Sequence, residues 1–375
     1  MKPKITQKVI VVLGMHRSGT STVARGLKAL GVELGNNLVS PTPDNEKGFW
    51  EDIEINELND DVLAALGCTW HSLRLIEPDE QIGPKTAPLR LRAIDLISKK
   101  FGESEVFGIK SPRMCRLLPF WQQIFEHLRL EDKYVISIRN PLSVAKSLAA
   151  RNGFSAEKSH LLWLEHVIPS LSCTQGKPRV VIDYDRLLND PVPQMKRVAS
   201  SLGIVIDDAA KKELSLYAGD FLEQNLRHTQ FEPKALDLDP RAPKLAADAY
   251  HWLLKYADEA SLLSPTNHET WRHIEQSFTA FAPIYNLLDR ESRELATELA
   301  KAKQVVVALT SELKESQSKL TAVLQSNSWR ITLPLREARR WVNAPTAQAK
   351  HYAQAALRGL KRTYQALRHA AGRRS

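Results

Sequence analysis

The sequence predicts a mixed α/β fold, in which a parallel sheet flanked by helices is followed by a helical C-terminal extension. Four short, β-branched apolar runs occur at 9–13, 106–109, 134–138 and 180–182. Segments with helical periodicity separate them, and apolar strands that alternate with helices are typical of a parallel sheet covered on both faces. Beyond residue 244 no strand pattern occurs and a seven-residue apolar repeat follows, so the extension is expected to be helical.

Length and composition allow two domains with a sizeable core. The chain has 375 residues, of which 43% are hydrophobic and 25% charged, as is ordinary for a globular protein. The apolar run at 9–13 is too short for a signal peptide and no segment approaches a membrane span, so we expect a cytoplasmic protein. The three cysteines form no C-x-x-C pair, and neither a disulfide framework nor a metal site is expected.

The net charge of +9 belongs to the C-terminal tail. Residues 330–375 contain 11 Lys and Arg against one acidic residue, Glu337, whereas residues 1–329 contain 41 basic and 42 acidic residues. The near-neutral body argues against a nucleic-acid partner. The basic tail instead indicates an anionic surface or an acidic partner.

Glycines mark the ends of the predicted helices. The helical patterns at 20–30 and 191–202 are followed directly by glycine, and the pattern at 88–100 ends near Gly102; glycine is the usual C-cap residue. A proline-punctuated stretch, 231–243, is expected to be a linker or surface loop. The pattern divides the chain into a nucleotide-binding α/β core at 1–232, a linker and helical segment completing the core at 233–284, a coiled coil at 285–326 and a basic amphipathic tail at 327–375.

Two interleaved heptad series predict the coiled coil. The first comprises Leu288, Leu295, Ala302, Leu309, Ser316 and Val323, and the second Leu299, Val306, Leu313 and Leu320. An a/d register of about five heptads favours a homo-oligomer. Ala302 and Ser316, together with Ser292, weaken the seam, so one long amphipathic helix lying on the body is the alternative.

A glycine-bounded loop lies between the first strand and the first helix. It runs from Gly14 to Ser21, and the spacing of Gly14 and Gly19 matches a P-loop. Backbone N–H groups and a helix N-terminus bind phosphate there, which makes the sheet one of the P-loop type. Thr20 replaces the lysine that nucleoside triphosphatases require, so triphosphate hydrolysis is disfavoured. The cation of the loop is Arg17.

Two motifs resemble the sulfotransferases that use 3′-phosphoadenosine 5′-phosphosulfate (PAPS). Arg17-Ser18-Gly19-Thr20-Ser21 fits their 5′-phosphosulfate loop, K/R-S-G-T-T/S, and an arginine at the first position occurs in Golgi and bacterial branches. Arg139 and Ser147, which follow the third strand, fit the 3′-phosphate motif R-x-P-x5-S. The resemblance implies that both motifs bind PAPS. A planar guanidinium and a hydroxyl donor also suit a phosphate on chemical grounds.

Two weaker matches extend the resemblance over residues 8–230. The segment 181–191 is similar to Y-E/D-x-L-x-x-D/N-P and implies that Tyr184 lies near the nucleotide. Leu226-Arg227-His228 resembles a stretch that closes over the nucleotide in bacterial members, with Arg227 as the contact, although a solvated loop is an equal alternative. The R-K-G-x-x-G-D-W-K block of the cytosolic branch is missing, so closure must be made differently here.

Sulfuryl transfer requires a base for the acceptor proton. The segment 44–51 resembles N-x-x-G-Y/F-x-E of bacterial sulfotransferases, which implies that Glu51 is the base and that Trp50 lies at the acceptor. A surface glutamate opening the next helix is the alternative for Glu51. His16, beside the phosphate loop, is the second candidate base.

Cations follow the second strand at the sheet edge where ligands of open α/β sheets collect. Lys110-Ser111-Pro112-Arg113 resembles the K-D/S-P-R segment of related enzymes. The resemblance implies that Lys110 or Arg113 contacts the sulfonate or an acidic acceptor, while Arg17 neutralises the leaving phosphate. The alternative is that these cations hold neighbouring loops through carboxylates.

The tail carries a further resemblance. Residues 327–336 are similar to the S-W-R-I/L-T-x-P-L-R segment that follows coiled coils in bacterial surface-polysaccharide glycosyltransferases. A basic amphipathic helix with its apolar face at Ala353, Leu357, Leu360, Tyr364, Leu367 and Ala371 follows it. Such a helix lies on an anionic leaflet or binds a soluble partner. The first alternative predicts peripheral contact with the inner membrane face.

These patterns predict a sulfotransferase that moves a sulfuryl group from PAPS to a hydroxyl, without a metal. The tail favours a saccharide or glycolipid of a cell-surface glycan as the acceptor. The alternatives are a non-catalytic nucleotide-binding scaffold of a glycan assembly complex and a P-loop kinase of a small substrate.

Overall fold

A computed structural model describes residues 7–42, 45, 47–222, 230–257, 268–342 and 347–371. The chain divides into two compact units, residues 1–292 and 293–375. The first unit contains the sheet and its flanking helices, and the second is helical in its described residues.

A four-stranded parallel sheet forms the centre of the first unit. Its strands are β1 Lys8–Leu13, β2 Val106–Lys110, β3 Glu131–Ile138 and β4 Arg179–Asp183, in the spatial order β2-β1-β3-β4. All four predicted strands are confirmed. β3 begins before its apolar run because Glu131 pairs with Lys8 at the start of β1.

Helices connect the strands and follow the sheet. Those of the first unit are α1 Thr20–Ala29, α2 Ile53–Ala65, α3 Pro78–Ile82, α4 Ala87–Phe101, α5 Leu118–His127, α6 Pro141–Asn152, α7 Ala156–Ser172, α8 Tyr184–Asn189, α9 Pro191–Leu202, α10 Asp208–Leu216, α11 Ala235–Leu238, α12 Lys244–Tyr256 and α13 His268–Ala280. The three helices predicted from glycine stops are α1, α4 and α9. The proline-punctuated stretch 231–243 contains the short α11, whose Leu236 is buried.

The core lies on both faces of the sheet, because strand side chains alternate between them. Val9 and Val11 of β1 pack in the larger cluster with Trp121, while Ile10 and Val12 pack in the smaller one with α1 and α9. Both faces being apolar explains the unbroken hydrophobic run of β1. The mixed α/β fold with a parallel sheet flanked by helices is therefore confirmed.

The segments that carry the candidate functional residues lie at one edge of the sheet. Because all four strands are parallel, the residues that follow β1, β2, β3 and β4 emerge at the same edge. The phosphate loop follows β1, Ser111 follows β2, Arg139 follows β3 and Tyr184 follows β4. This is the edge where open α/β sheets bind ligands.

The long helix expected from the heptads is confirmed. It is α14, Ala282–Gln325, and it is followed by α15 Asn327–Ile331, α16 Leu333–Val342 and α17 Ala347–Ala371. α16 packs against α17. None of the helices in the described ranges is both long and apolar enough to span a membrane.

Candidate functional site

The phosphate loop, residues 14–21, has glycine at two positions where a side chain would clash with neighbouring atoms. Gly14 has φ 142°, and a Cβ there would lie 2.4 Å from the carbonyl oxygen of Ser137. Arg17 and Gly19 also have positive φ, 70° and 84°. These angles turn the chain tightly from β1 into α1.

The first turn of α1 fits an anion. No side chain caps this helix and none of its first-turn residues is acidic, so its N-terminal N–H groups and partial positive charge face the loop. The hydroxyl of Ser18 is buried and makes no hydrogen bond to any described residue. A phosphate oxygen at this position would satisfy such a donor.

The two predicted nucleotide motifs meet at the phosphate loop. The Nε of Arg17 donates a 2.8 Å hydrogen bond to Oγ of Ser147, although the two residues are 130 positions apart in sequence. Nη1 of Arg139 donates to the carbonyl oxygen of Arg17 at 3.2 Å. The pairing of β1 with β3 causes this meeting, because each motif directly follows one of these neighbouring strands.

Tyr184 completes the cluster. A Cβ on Gly19 would lie 2.1 Å from Cδ2 of Tyr184, so glycine is required at 19 for the ring to pack on the loop. The guanidinium carbon of Arg139 lies 4.5 Å from the centre of the same ring. Burial lowers the pKa of Arg139, while Tyr184 and Asp185 oppose that shift. Arginine stays charged at neutral pH despite such a shift.

A buried ion pair lies next to the phosphate loop. Lys110 and Glu51 are 4% and 5% exposed, and Nζ of Lys110 contacts Oε1 of Glu51. The same ammonium donates to the carbonyl of Phe49 at 3.0 Å and to Oγ of Ser21 at 3.3 Å. Burial lowers the pKa of Lys110, and the charge of Glu51 opposes that shift. The pair is thereby linked to the first turn of α1.

The second carboxylate oxygen of Glu51 is also engaged. Nδ2 of Asn56 donates to Oε2 at 2.5 Å, and Nη1 of Arg113 lies 3.6 Å from the same atom. Glu51 is therefore not a surface glutamate opening a helix. The N-cap of α2 is instead the buried Asp52, whose Oδ1 accepts the backbone N–H of Glu54 at 3.0 Å.

Arg113 divides its contacts between two carboxylates. Its Nε lies 2.7 Å from Oδ1 of Asp60 in α2, in addition to the Glu51 contact. Lys110 and Arg113 thus join loops through carboxylates, as one sequence alternative expected. A contact of either residue with a sulfonate stays a prediction.

His16 is a buried residue of the phosphate loop, and one of its ring nitrogens has no hydrogen-bond partner among the described residues. Its ring centre lies 4.3 Å from that of Trp70, and its Nε2 has no hydrogen-bond partner within the described ranges. Burial holds the pKa of His16 well below its usual value, and the nearby His166 and Arg151 add to the shift. A neutral imidazole with a vacant nitrogen can accept a proton or a hydrogen bond.

Two predicted contacts lie apart from this cluster or outside the described chain. The ring of Trp50 packs near Phe221, with Arg25 and Lys28 of α1 over its face. Trp50 also has φ 57°. Arg227 lies outside the described residues, and its nucleotide contact remains a prediction.

Sequence reasoning missed the residues that support the site. Asn56 connects Glu51 to β2, because its Oδ1 accepts a 2.8 Å hydrogen bond from Oγ of Ser111. Its signal in the sequence is a polar residue beside the buried apolar positions of α2. Trp70 and Phe154 come from irregular loops, where no periodicity identifies a functional aromatic residue.

Comparisons with known proteins identify only solved structures. No protein-family model matches the chain, and no curated protein is significantly similar to it. The sulfotransferase domain of the olefin synthase of Synechococcus PCC 7002 aligns at 18% identity with a TM-score of 0.35, over 74% of this chain and 98% of that domain. Sulfotransferase STF1 of Mycobacterium tuberculosis H37Rv aligns at 14% identity with a TM-score of 0.34, over 56% of this chain and 71% of that one. Such values identify neither donor nor acceptor, so the functional argument rests on the side chains above.

Proposed function

We propose that this chain is a sulfotransferase that moves the sulfuryl group of PAPS to a hydroxyl of an acceptor. The observation that carries the proposal is the meeting of two anion-binding motifs, in which Arg17 bonds Ser147 and Arg139 bonds the backbone of Arg17. A nucleotide with phosphates at both its 5′ and 3′ positions matches such a double site. A nucleoside triphosphate would leave Arg139 and Ser147 without a phosphate.

The donor is held by the chain as follows. The N–H groups of the phosphate loop, with the hydroxyls of Ser18, Thr20 and Ser21, bind the 5′-phosphosulfate. Arg139 and Ser147 bind the 3′-phosphate through charge-assisted hydrogen bonds. Arg17 belongs to the first motif, contacts Ser147 of the second and neutralises charge on the leaving phosphate. Tyr184 packs on both Gly19 and Arg139 and lies where the nucleotide is held.

In the transfer, the acceptor oxygen forms a bond to sulfur while the bond from sulfur to the bridging phosphate oxygen breaks. The electron pair of the broken bond stays on the phosphate, and the hydroxyl proton goes to a base of the protein. Glu51 is the proposed base. Its partner Lys110 already contacts Ser21 in the first turn of α1, so the ammonium can shift to the developing phosphate charge and release Oε1 for the proton.

His16 is the second candidate for the base. Its Nε2 needs no partner to be displaced, since none of the described residues bonds it. Glu51 is favoured because Lys110 couples its release to the arrival of charge on the donor. The two candidates differ in one respect. Only Glu51 requires Lys110 to move from its carboxylate to the phosphate before it can accept the proton.

The second unit is proposed to assemble copies of the chain. Leu299, Val306, Leu309, Leu313 and Leu320 of α14 are each between 57% and 61% exposed. These residues lie on the two heptad series, and a second α14 would bury them. A homo-oligomer is therefore the proposed assembly, with the saccharide or glycolipid acceptor bound by the first unit.

Peripheral membrane contact is proposed for α17. Leu357 and Leu360 are partly buried and basic residues lie around them, while α16 packs against the same helix. Flotation with anionic vesicles, compared with neutral vesicles, tests this contact. Equal recovery with both vesicle types contradicts it.

Transfer of radioactive sulfate from labelled PAPS tests the proposed activity. The full chain is incubated with labelled donor and a pool of bacterial surface glycans, and labelled glycan is separated from free sulfate. The proposal expects label in the glycan with wild-type protein and none without it. Tight binding of 3′-phosphoadenosine 5′-phosphate (PAP) without any transfer would instead support the nucleotide-binding scaffold.

A further inference from the structure

A group of aromatic rings lies beside the phosphate loop, and the donor site does not use it. Trp70, His71 and Phe154 contact one another with ring centres 5.1 to 5.8 Å apart. The ring of His16 lies 4.3 Å from Trp70 and connects the group to the loop. We call these four residues the aromatic wall.

The aromatic wall is assembled from three separate segments. Trp70 and His71 follow α2, Phe154 lies between α6 and α7, and His16 belongs to the phosphate loop. Trp70 and Phe154 pack against the core on one side, yet both are only partly buried. Contact with the core accounts for the buried side of these two rings. Their exposed side is accessible to another molecule.

Two cations lie over the wall. The guanidinium carbon of Arg151 is 5.4 Å from the ring centre of Trp70, and Nζ of Lys158 is 4.5 Å from that of Phe154. The acidic residues that interact electrostatically with Lys158 are Asp289 and Glu165, and both are buried. Among the residues that the structure describes, none forms an ion pair with Lys158. The outer rim of the wall is therefore positively charged.

A buried polar atom provides a second, independent observation. His16 is 8% exposed and its Nε2 lacks a hydrogen-bond partner among the described residues. Unpartnered buried nitrogens are uncommon in proteins, and a ligand hydroxyl that donates to this atom would satisfy it. His16 is also the residue that joins the wall to the donor site.

We propose that the aromatic wall is the acceptor subsite and that it binds an anionic sugar ring. The apolar face of the sugar packs on Trp70 and Phe154, its carboxylate pairs with Arg151 and Lys158, and a hydroxyl donates to Nε2 of His16. Aromatic faces with a few placed polar groups are typical of small-molecule sites. A flat apolar acceptor would leave the buried Nε2 of His16 without a hydrogen-bond partner. The inference rests on the proposed sulfotransferase function and specifies its acceptor.

The test uses a uronic-acid-containing hexasaccharide and the same hexasaccharide with its carboxyl groups reduced to alcohols. Both are titrated by calorimetry into full-length protein saturated with PAP. We expect the acidic sugar to bind at least about 10-fold more tightly than the neutral one, because an ion pair to each of two cations is lost on reduction. Equal affinities of the two sugars would overturn the proposal.

Variants locate the binding to the wall. Replacing Arg151 and Lys158 by Gln should weaken the acidic sugar about 10-fold and leave the neutral one unchanged, and Trp70→Ala should weaken both. Lys146→Gln removes an exposed cation from the same α6 and should change neither affinity. Retained binding of the acidic sugar in both wall variants would overturn the proposal.

PAP binding separates failure of the subsite from failure of the proposed function. Every variant should bind PAP within about 2-fold of wild type, which also shows that it is folded. If PAP binds and neither sugar does, the subsite is wrong while the donor site stands. If wild-type protein fails to bind PAP, the proposed function itself is wrong.

Discussion

The two units of this chain differ in how far their charged and apolar side chains are buried. In the first, charges are buried in specific contacts, such as the Glu51–Lys110 pair, and the apolar side chains form two closed cores. In the second, the leucines of α14 are exposed and the charge is mostly basic. The contacts of the candidate site therefore come from one chain, whereas a second copy of the chain is only proposed to cover the exposed leucines of the second unit.

The largest expected effect is on turnover, and it comes from a change in the first unit. Glu51→Gln removes the proposed base and should lower the rate of sulfate transfer by about 10²- to 10⁴-fold. PAP affinity should stay close to wild type, because the donor contacts come from other residues. Rates with labelled PAPS, measured beside calorimetric titration of PAP, check both statements.

Because Glu51 forms a buried ion pair with Lys110, the Glu51→Gln variant requires a control for folding. Removing one member of a buried ion pair costs about 3 to 5 kcal/mol, so the melting temperature of Glu51→Gln should also fall. Glu57→Gln changes an exposed glutamate of α2, the helix that follows Glu51, and should leave rate and melting temperature unaltered. Near-wild-type turnover in Glu51→Gln would assign the base to His16. The His16→Asn variant should then lose sulfate transfer.

A smaller effect, confined to assembly, is expected in the second unit. Leu313→Asp removes from each chain one leucine that the proposed seam would bury, at about 1.5 to 3 kcal/mol each, so dimerisation should weaken by at least about 100-fold. Light scattering should show a lower mass at the same concentration, with unchanged PAP binding. Ser311→Asp, two positions away and outside both heptad series, is the matched control. A wild-type protein that is already monomeric would contradict the assembly.

The smallest effect concerns stability against pH. Glu165 in α7 is buried and burial raises its pKa to about 8, with Asp289 adding to the shift and Arg116 opposing it. The folded state therefore keeps a proton that the unfolded state releases near pH 4.5. Its stabilising contribution is complete below that pH and is lost as the pH rises to about 8. Glu165→Gln should show a smaller fall in melting temperature from pH 6 to 8.5 than wild type.

The exposed Glu157 of the same helix provides the control. Its pKa is lowered from the ordinary value, so it stays ionised throughout that window and Glu157→Gln should follow wild type. Burial lowers the pKa of His166 to about 3, and the stability it contributes above pH 6.5 is lost only towards acid. Identical slopes for wild type and Glu165→Gln between pH 6 and 8.5 would show that Glu165 is ionised in the folded protein.

The sequence predicts most of the sheet and the nucleotide motifs because these are local patterns. Each strand is a β-branched run, and each motif directly follows a strand, so the parallel order of the sheet brings Arg17 and Arg139 together. The contacts of Glu51 are different. Its burial depends on Lys110, which is 59 positions away, and on Asn56, neither of which the segment around Glu51 indicates.

The aromatic wall shows the same limit more strongly. Trp70 and Phe154 belong to irregular loops and are 84 positions apart, so only the tertiary structure places their rings 5.8 Å apart. Heptad spacing predicted α14 correctly, because helical periodicity is also local. Whether a second copy covers its leucines is a property of two chains and cannot be read from one.

The central claim is that the site recognises a nucleotide with a 3′-phosphate, and the most direct measurement compares PAP with ATP. Calorimetric titration of wild-type protein should give much tighter binding of PAP. Arg139→Ala should weaken PAP about 10- to 150-fold, the value of one charge-assisted contact of about 1.5 to 3 kcal/mol, and should leave ATP unchanged. Equal affinities of the wild-type protein for PAP and ATP would contradict the account.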